Sequence, residues 1–99
     1  MGSNRPSFRV GSNAIAAAGT AERCDDLAIP QGTFVVVHAC PGNTGNLYIG
    51  DTKAMAELHH FTMEPGATVE LQTDNLNDVW IDAAVNGEIV EWVTEVMVE

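Results

Sequence analysis

From Thr33 onward the apolar residues recur at a spacing of two or in short unbroken runs, bounded by Gly, Pro, Asn and Asp. That spacing predicts strands, because successive side chains of an extended chain leave opposite faces. The stretch richest in β-branched and aromatic residues is Asn77 to Val98, NDVWIDAAVNGEIVEWVTEVMV. Asn86-Gly87 divides it and predicts a two-residue type I′ turn, since both residues tolerate positive φ. The resulting hairpin sets Val85 against Glu88, Ala83 against Val90, Ile81 against Trp92 and Val79 against Thr94, an apolar side expected to face the core. Its other side collects Trp80, Asp82, Ala84, Ile89, Glu91, Val93 and Met97, with Asp82 directly across from Glu91. Opposed carboxylates disfavour a strand pair. This face is therefore expected to meet a partner, with Trp80 as apolar anchor and Asp82 and Glu91 as acceptors for a basic group.

The other segments read as short strands and turns. Met1 to Thr20 is rich in Gly, Ser, Asn and Ala, with Phe8, Val10 and Ile15 as its sizeable apolar residues, and predicts an extended arm that contributes little to the core. Ala14 to Ala18 is too short a helical run to hold alone. Cys24 to Gly32, with Asp-Asp followed by Leu27, Ile29, Pro30 and Gly32, reads as a short edge strand closed by a turn. In Thr33 to Cys40, Phe34, Val35, Val36 and Val37 leave no polar face, the pattern of a strand covered on both sides. Pro41 to Asn46 predicts the tip of a second hairpin that returns through Leu47, Tyr48 and Ile49. Asp51 to Leu58 predicts at most a turn or two of helix crossing between sheets. His59, His60 and Phe61 open a further strand, Glu64-Pro65-Gly66-Ala67 suits a type II turn, and Thr68 to Thr73 alternates as a half-exposed strand. These signals predict an all-β fold, an antiparallel β-sandwich or jelly roll of about seven to eight strands, with an N-terminal arm (1–20) and one β domain (21–99).

Charge narrows the partners. A chain of 99 residues makes one domain, and a net charge of -10 with a pI near 4.4 argues against nucleic acid or an anionic membrane surface. Arg5, Arg9 and Arg23 supply three of the four basic residues, and all acids but Glu22 follow Arg23, so a basic arm precedes an acidic body. Arg5 and Arg9 are expected to meet carboxylates of a partner while Phe8 and Val10 dock beside them. No apolar run is long enough for a membrane helix, and no signal-peptide pattern is present. Met1-Gly2 lacks the Ser or Thr that myristoylation requires at position 6, which is Pro6.

Candidate chemistry changes little. Cys24 and Cys40 are too few for a disulfide framework or zinc cluster and read as buried free thiols. His59 and His60 would point to opposite faces of a strand and cannot chelate one metal together, and His38 lacks a spaced ligand motif. The Gly-rich tip at 41–46 has neither the following helix nor the Lys-Ser/Thr of a phosphate loop. No nucleophile elbow, oxyanion loop or cofactor fingerprint accompanies the cysteines and histidines, and Asp82 with Glu91 lacks the cleft of a glycosidase pair. The expectation is a non-enzymatic protein with no cofactor, no metal and no catalytic residue.

Three stretches carry a resemblance. PGNTGNLYIG (41–50), MEPGATVEL (63–71) and DNLNDVWIDAAVNGE (74–88) resemble a family of small β-sandwich proteins encoded among tailed-phage structural genes, over roughly Phe34 to Trp92. The family pattern has Pro where this chain has Thr62, Gly where it has Ile89, and Tyr where it has Trp80. The resemblance implies a virion component, a capsid decoration or cement protein on the outer surface of the head shell, assembled in the host cytoplasm. Its implied partners are the major capsid protein, other virion subunits or further copies of itself, as in a trimer. The arm lies outside the matched region. The alternative expectation is a receptor- or carbohydrate-binding module of a tail or fibre, for which Trp80, Tyr48 and Trp92 are the aromatic candidates.

Overall fold

The computed structural model describes residues 5–98. Met1 to Asn4, with the lipidation candidate at Met1-Gly2, lie outside the described residues. Eight strands form: β1 (Arg5–Ile15), β2 (Glu22–Arg23), β3 (Val35–Ala39), β4 (Leu47–Gly50), β5 (Thr62–Met63), β6 (Thr68–Leu71), β7 (Trp80–Ala83) and β8 (Glu88–Val98). One short helix, α1 (Lys53–Glu57), and a 3₁₀ turn at Leu76–Asp78 complete the regular elements. The strands make two antiparallel four-stranded sheets, ordered β1-β8-β3-β6 and β2-β7-β4-β5.

Both predicted hairpins are corrected. β7 pairs with β2 and β4, and β8 pairs with β1 and β3, so the two halves of the Asn77 to Val98 stretch lie in different sheets. The reason is visible at the turn. Gly87 has φ +82, but Asn86 stays outside the left-handed region that a type I′ turn demands of both residues. Asn86 instead accepts the Ala18 amide on its Oδ1 (2.8 Å), and the Gly87 amide donates to the Ile15 carbonyl (2.7 Å), which ties the turn to the end of β1. Likewise Pro41 to Asn46 carries the chain from β3 in the first sheet to β4 in the second.

Parity was legible even though pairing was not. Val79, Ile81 and Ala83 face inward from one side, and Val90, Trp92 and Thr94 face inward from the other, all buried. Apart from Val85, which is exposed in the turn region, the predicted apolar side of one hairpin is thus two facing inner surfaces. With Val35, Val37 and Ala39 of β3, Leu47 of β4 and Met63 of β5 they form one continuous core. Fourteen residues of this cluster are buried, and the apolar area they remove from water stabilises the sandwich at about 25 cal/mol per Å².

The connections keep the core closed. Ala67 donates to the Glu64 carbonyl at 2.8 Å and Gly66 has φ +87, the type II geometry expected of Glu64-Pro65-Gly66-Ala67. α1 links β4 to β5, neighbours in the same sheet, and so does not cross between sheets as expected. It packs so tightly on β4 that a Cβ at Gly50 would stand 2.3 Å from the Ala56 amide nitrogen. The predicted edge strand before Gly32 is reduced to a single bridge, Ala28 with Asn75. The segment predicted as a loose arm is the longest edge strand, and Ile15 at its end is fully buried, contrary to the expectation of little core burial.

Candidate binding surface

Register places every side chain of the first sheet. In β1 the even-numbered residues face outward, and in β8 the odd-numbered ones do, as their burial alternates. One outward row is Val10, Val93 and Val36, directly paired across three strands, with Glu70 of β6 at its end. The next row holds Phe8 opposite Glu95, with Phe34 lining the same shallow groove. Phe8 is 73% exposed, Val10 64% and Phe34 52%. On the other side of the valine row come Ser12, Glu91, His38 and Thr68, where His38 Nδ1 and Glu91 Oε1 stand 3.0 Å apart. β3 was expected to be covered on both sides. Among the described residues only its inner side is.

Among the described residues β8 has no neighbour but β1 beyond Thr94, so Arg5 to Phe8 and Glu95 to Val98 form a two-stranded ribbon. The molecule is accordingly elongated, 48 × 25 × 19 Å. On the ribbon the outward positions are Pro6, Phe8, Glu95 and Met97, and the opposite side carries Arg5 and Arg9. Three ion pairs occur among the described residues, His38–Glu91, Lys53–Glu57 and His59–Asp82, and neither Arg5 nor Arg9 takes part. Gly11 makes room for the Trp92 indole. A Cβ there would lie 2.3 Å from Trp92 Cζ2, and the indole N–H donates to Asn13 Oδ1 (3.1 Å).

Arg5, Phe8, Arg9 and Val10 share one strand, with Phe8 and Val10 on its outward side and Arg5 and Arg9 on the other. Trp80, Asp82 and Glu91 are not brought together. Asp82 pairs in register with Tyr48, and Glu91 with Ser12 and His38, so the predicted opposition of the two carboxylates does not occur. Asp82 is fully buried. Its Oδ1 accepts the Gly19 and Ala83 amides (both 2.8 Å), and His59 Nε2 sits 2.7 Å from Oδ2. A carboxylate so enclosed is out of reach of a partner. His59 reaches it from a left-handed backbone (φ +59) just past the end of α1, and its ring stacks on Tyr48 at 3.6 Å. Trp80 is half-buried with the Arg23 guanidinium 4.8 Å over its ring. One face of Tyr48 is thus covered by His59 and one face of Trp80 by Arg23, and Trp92 is buried.

Other polar features serve the fold. The Gly-rich tip wraps its own carboxylate: Thr44 and Gly45 amides donate to buried Glu88 at 3.2 and 2.6 Å. Asn43 pairs with both backbone groups of Ile89 at 2.9 Å, standing in for a strand neighbour. Hydrogen bonds from Lys53 and from the Ala21 amide hold the Glu57 carboxyl below its ordinary pKa. Burial, with Asp25 adding to it, pushes the Cys24 thiol up to about 12. Among the described residues no group of three His, Cys, Asp or Glu side chains is placed to hold a metal ion.

Val93 lies on the face expected to meet a partner, but Phe34 and Val36 beside it were not singled out from the sequence as a binding surface. Their signal was the absence of any polar position in Phe34 to Val37, which a strand with one open side should have shown. No family model, curated protein or solved structure matches the chain.

Proposed function

We propose that the chain is a structural virion protein of a tailed phage, a β-sandwich decoration or cement protein that attaches to the outer surface of the head shell and stabilises it. The observation that carries this reading is the open apolar face of the first sheet, the row Val10, Val93 and Val36 flanked by Phe8 and Phe34. An antiparallel sheet with one free side ordinarily turns polar residues to water. An exposed contiguous apolar face in a chain of net charge -10 is the mark of a surface that another protein covers. The three stretches that resemble tailed-phage structural proteins suggest the major capsid protein as that partner. No observation favours the tail or carbohydrate-binding alternative.

The test is attachment to heads that lack the chain, measured by co-sedimentation. Val93→Glu and Val36→Glu place a charge in the apolar row and should abolish attachment, while Glu70→Lys at the end of the row should keep it. Circular dichroism checks that each variant is folded. A folded Val93→Glu that binds heads as well as the unaltered chain contradicts the reading, as does an unaltered chain that binds no heads.

A further inference from the structure

We infer that the open edge of β1 is a strand acceptor, which takes an extended acidic and apolar segment of the partner protein as a fifth strand of the first sheet. The inference rests on the attachment reading above and adds the mode of recognition. β1 pairs only with β8, and the outward amides and carbonyls between Arg5 and Ala14 have no partner among the described residues. The remaining sheet edges are short: β2 and β5 have two residues each and β6 has four. A long unpaired edge is a template for a further strand, in which main-chain hydrogen bonds give affinity and alternate side chains give selectivity.

Charge decides which strand fits. The side of β1 that bears Phe8 and Val10 is apolar and exposed, and the other side bears Arg5 and Arg9, neither in an ion pair among the described residues. An added strand therefore satisfies this edge when apolar residues oppose Phe8 and Val10 and carboxylates, four positions apart, oppose Arg5 and Arg9. Every other edge is acidic or lies beside an acid, through Glu22 in β2, Glu70 in β6 and Glu64 after β5. Farther along β1, Asp25 accepts from Asn13 and Glu22 from the Ala16 amide, so an acidic strand meets like charge past Val10. A second copy is a poorer occupant, because β1 against β1 would bring arginine-bearing edges together.

The probe is a labelled peptide, Thr-Val-Glu-Ile-Ser-Thr-Glu-Thr, which meets this pattern in antiparallel register. Fluorescence anisotropy should show saturable binding to the full chain, and amide exchange along β1 should slow on binding. The double variant Arg5→Glu, Arg9→Glu should bind it about tenfold or more weakly, as two cross-strand attractions become repulsions. The same variant should accept the peptide with both Glu replaced by Lys. The inference is overturned if no saturable binding occurs or if the double variant binds the acidic peptide unchanged. Dimers that dissociate on Val10→Pro also overturn it, since the occupant is then a second copy. Attachment to heads separates the two proposals. If the double variant still attaches while Val93→Glu does not, the strand acceptor fails and the attachment reading stands. If the peptide binds as described but the unaltered chain binds no heads, the reverse holds.

Discussion

Cys24 donates its amide to the Val79 carbonyl and buries its sulfur in the core, where desolvation raises the thiol to about 12. The thiolate is the reactive form, so at about pH 8 this residue should be inert in the folded protein. Cys40 is half-buried at the end of β3. A thiol reagent should accordingly label Cys40 first and reach Cys24 only on denaturation. Equal rates for both in the folded chain would contradict the assignment of Cys24 to the core. Gly11 is a sharper case. With Trp92 Cζ2 2.3 Å from where its Cβ would stand, Gly11→Ala must push the indole off the edge of the core. Overpacking of this kind costs about 1–3 kcal/mol, so the melting temperature should fall, with Trp92 fluorescence shifted to the red. Neither role was legible in the sequence, because a glycine in an exposed-looking segment gives no sign of the ring that crosses it.

At the scale of elements, the inward and outward sides of β7 and β8 followed from the sequence, since a period of two is a local property of the chain. Which strands pair did not. Asn86-Gly87 is the strongest short hairpin signal in the chain, yet the turn it makes crosses between sheets, held by Ala18 and Ile15 from a segment about seventy residues away. The same holds for Asp82. Its alternation with Trp80 and Ala84 placed it on an outer face, but the return of the chain at Gly19 and the helix end at His59 cover it completely. Long-range closure of that kind has no signature in a local window. The arm illustrates the consequence for truncation. Removing residues 1–8 should leave the fold intact and weaken attachment, because Phe8 and the ribbon lie outside the main core cluster, with only Val96 of the ribbon buried. Removing residues 1–20 should also lower the melting temperature, since Ile15, the cover over Trp92 and the Gly19 bond to Asp82 go with it. A deletion of 1–20 that melts like the full chain would contradict the placement of β1 in the first sheet.

For the whole molecule, two faces of the first sheet have different tasks. Its inner face closes the core with the second sheet. Its outer face and the ribbon present Phe8, Val10, Phe34, Val36 and Val93 on a body whose net charge of -10 keeps copies apart at low ionic strength. The charge split that the sequence showed is thus also a division of the surface, with Arg5 and Arg9 on the side of the ribbon away from Phe8. On the proposed function, attachment to the head depends on what covers the outer face. Cryo-electron microscopy of tailed-phage heads to which the chain has been added tests the proposal most directly. The predicted result is density for the chain on the head, with the row Val10, Val93 and Val36 turned toward the shell and the second sheet toward solvent. Density on the head with that row facing solvent, or no density on the head at all, would contradict it.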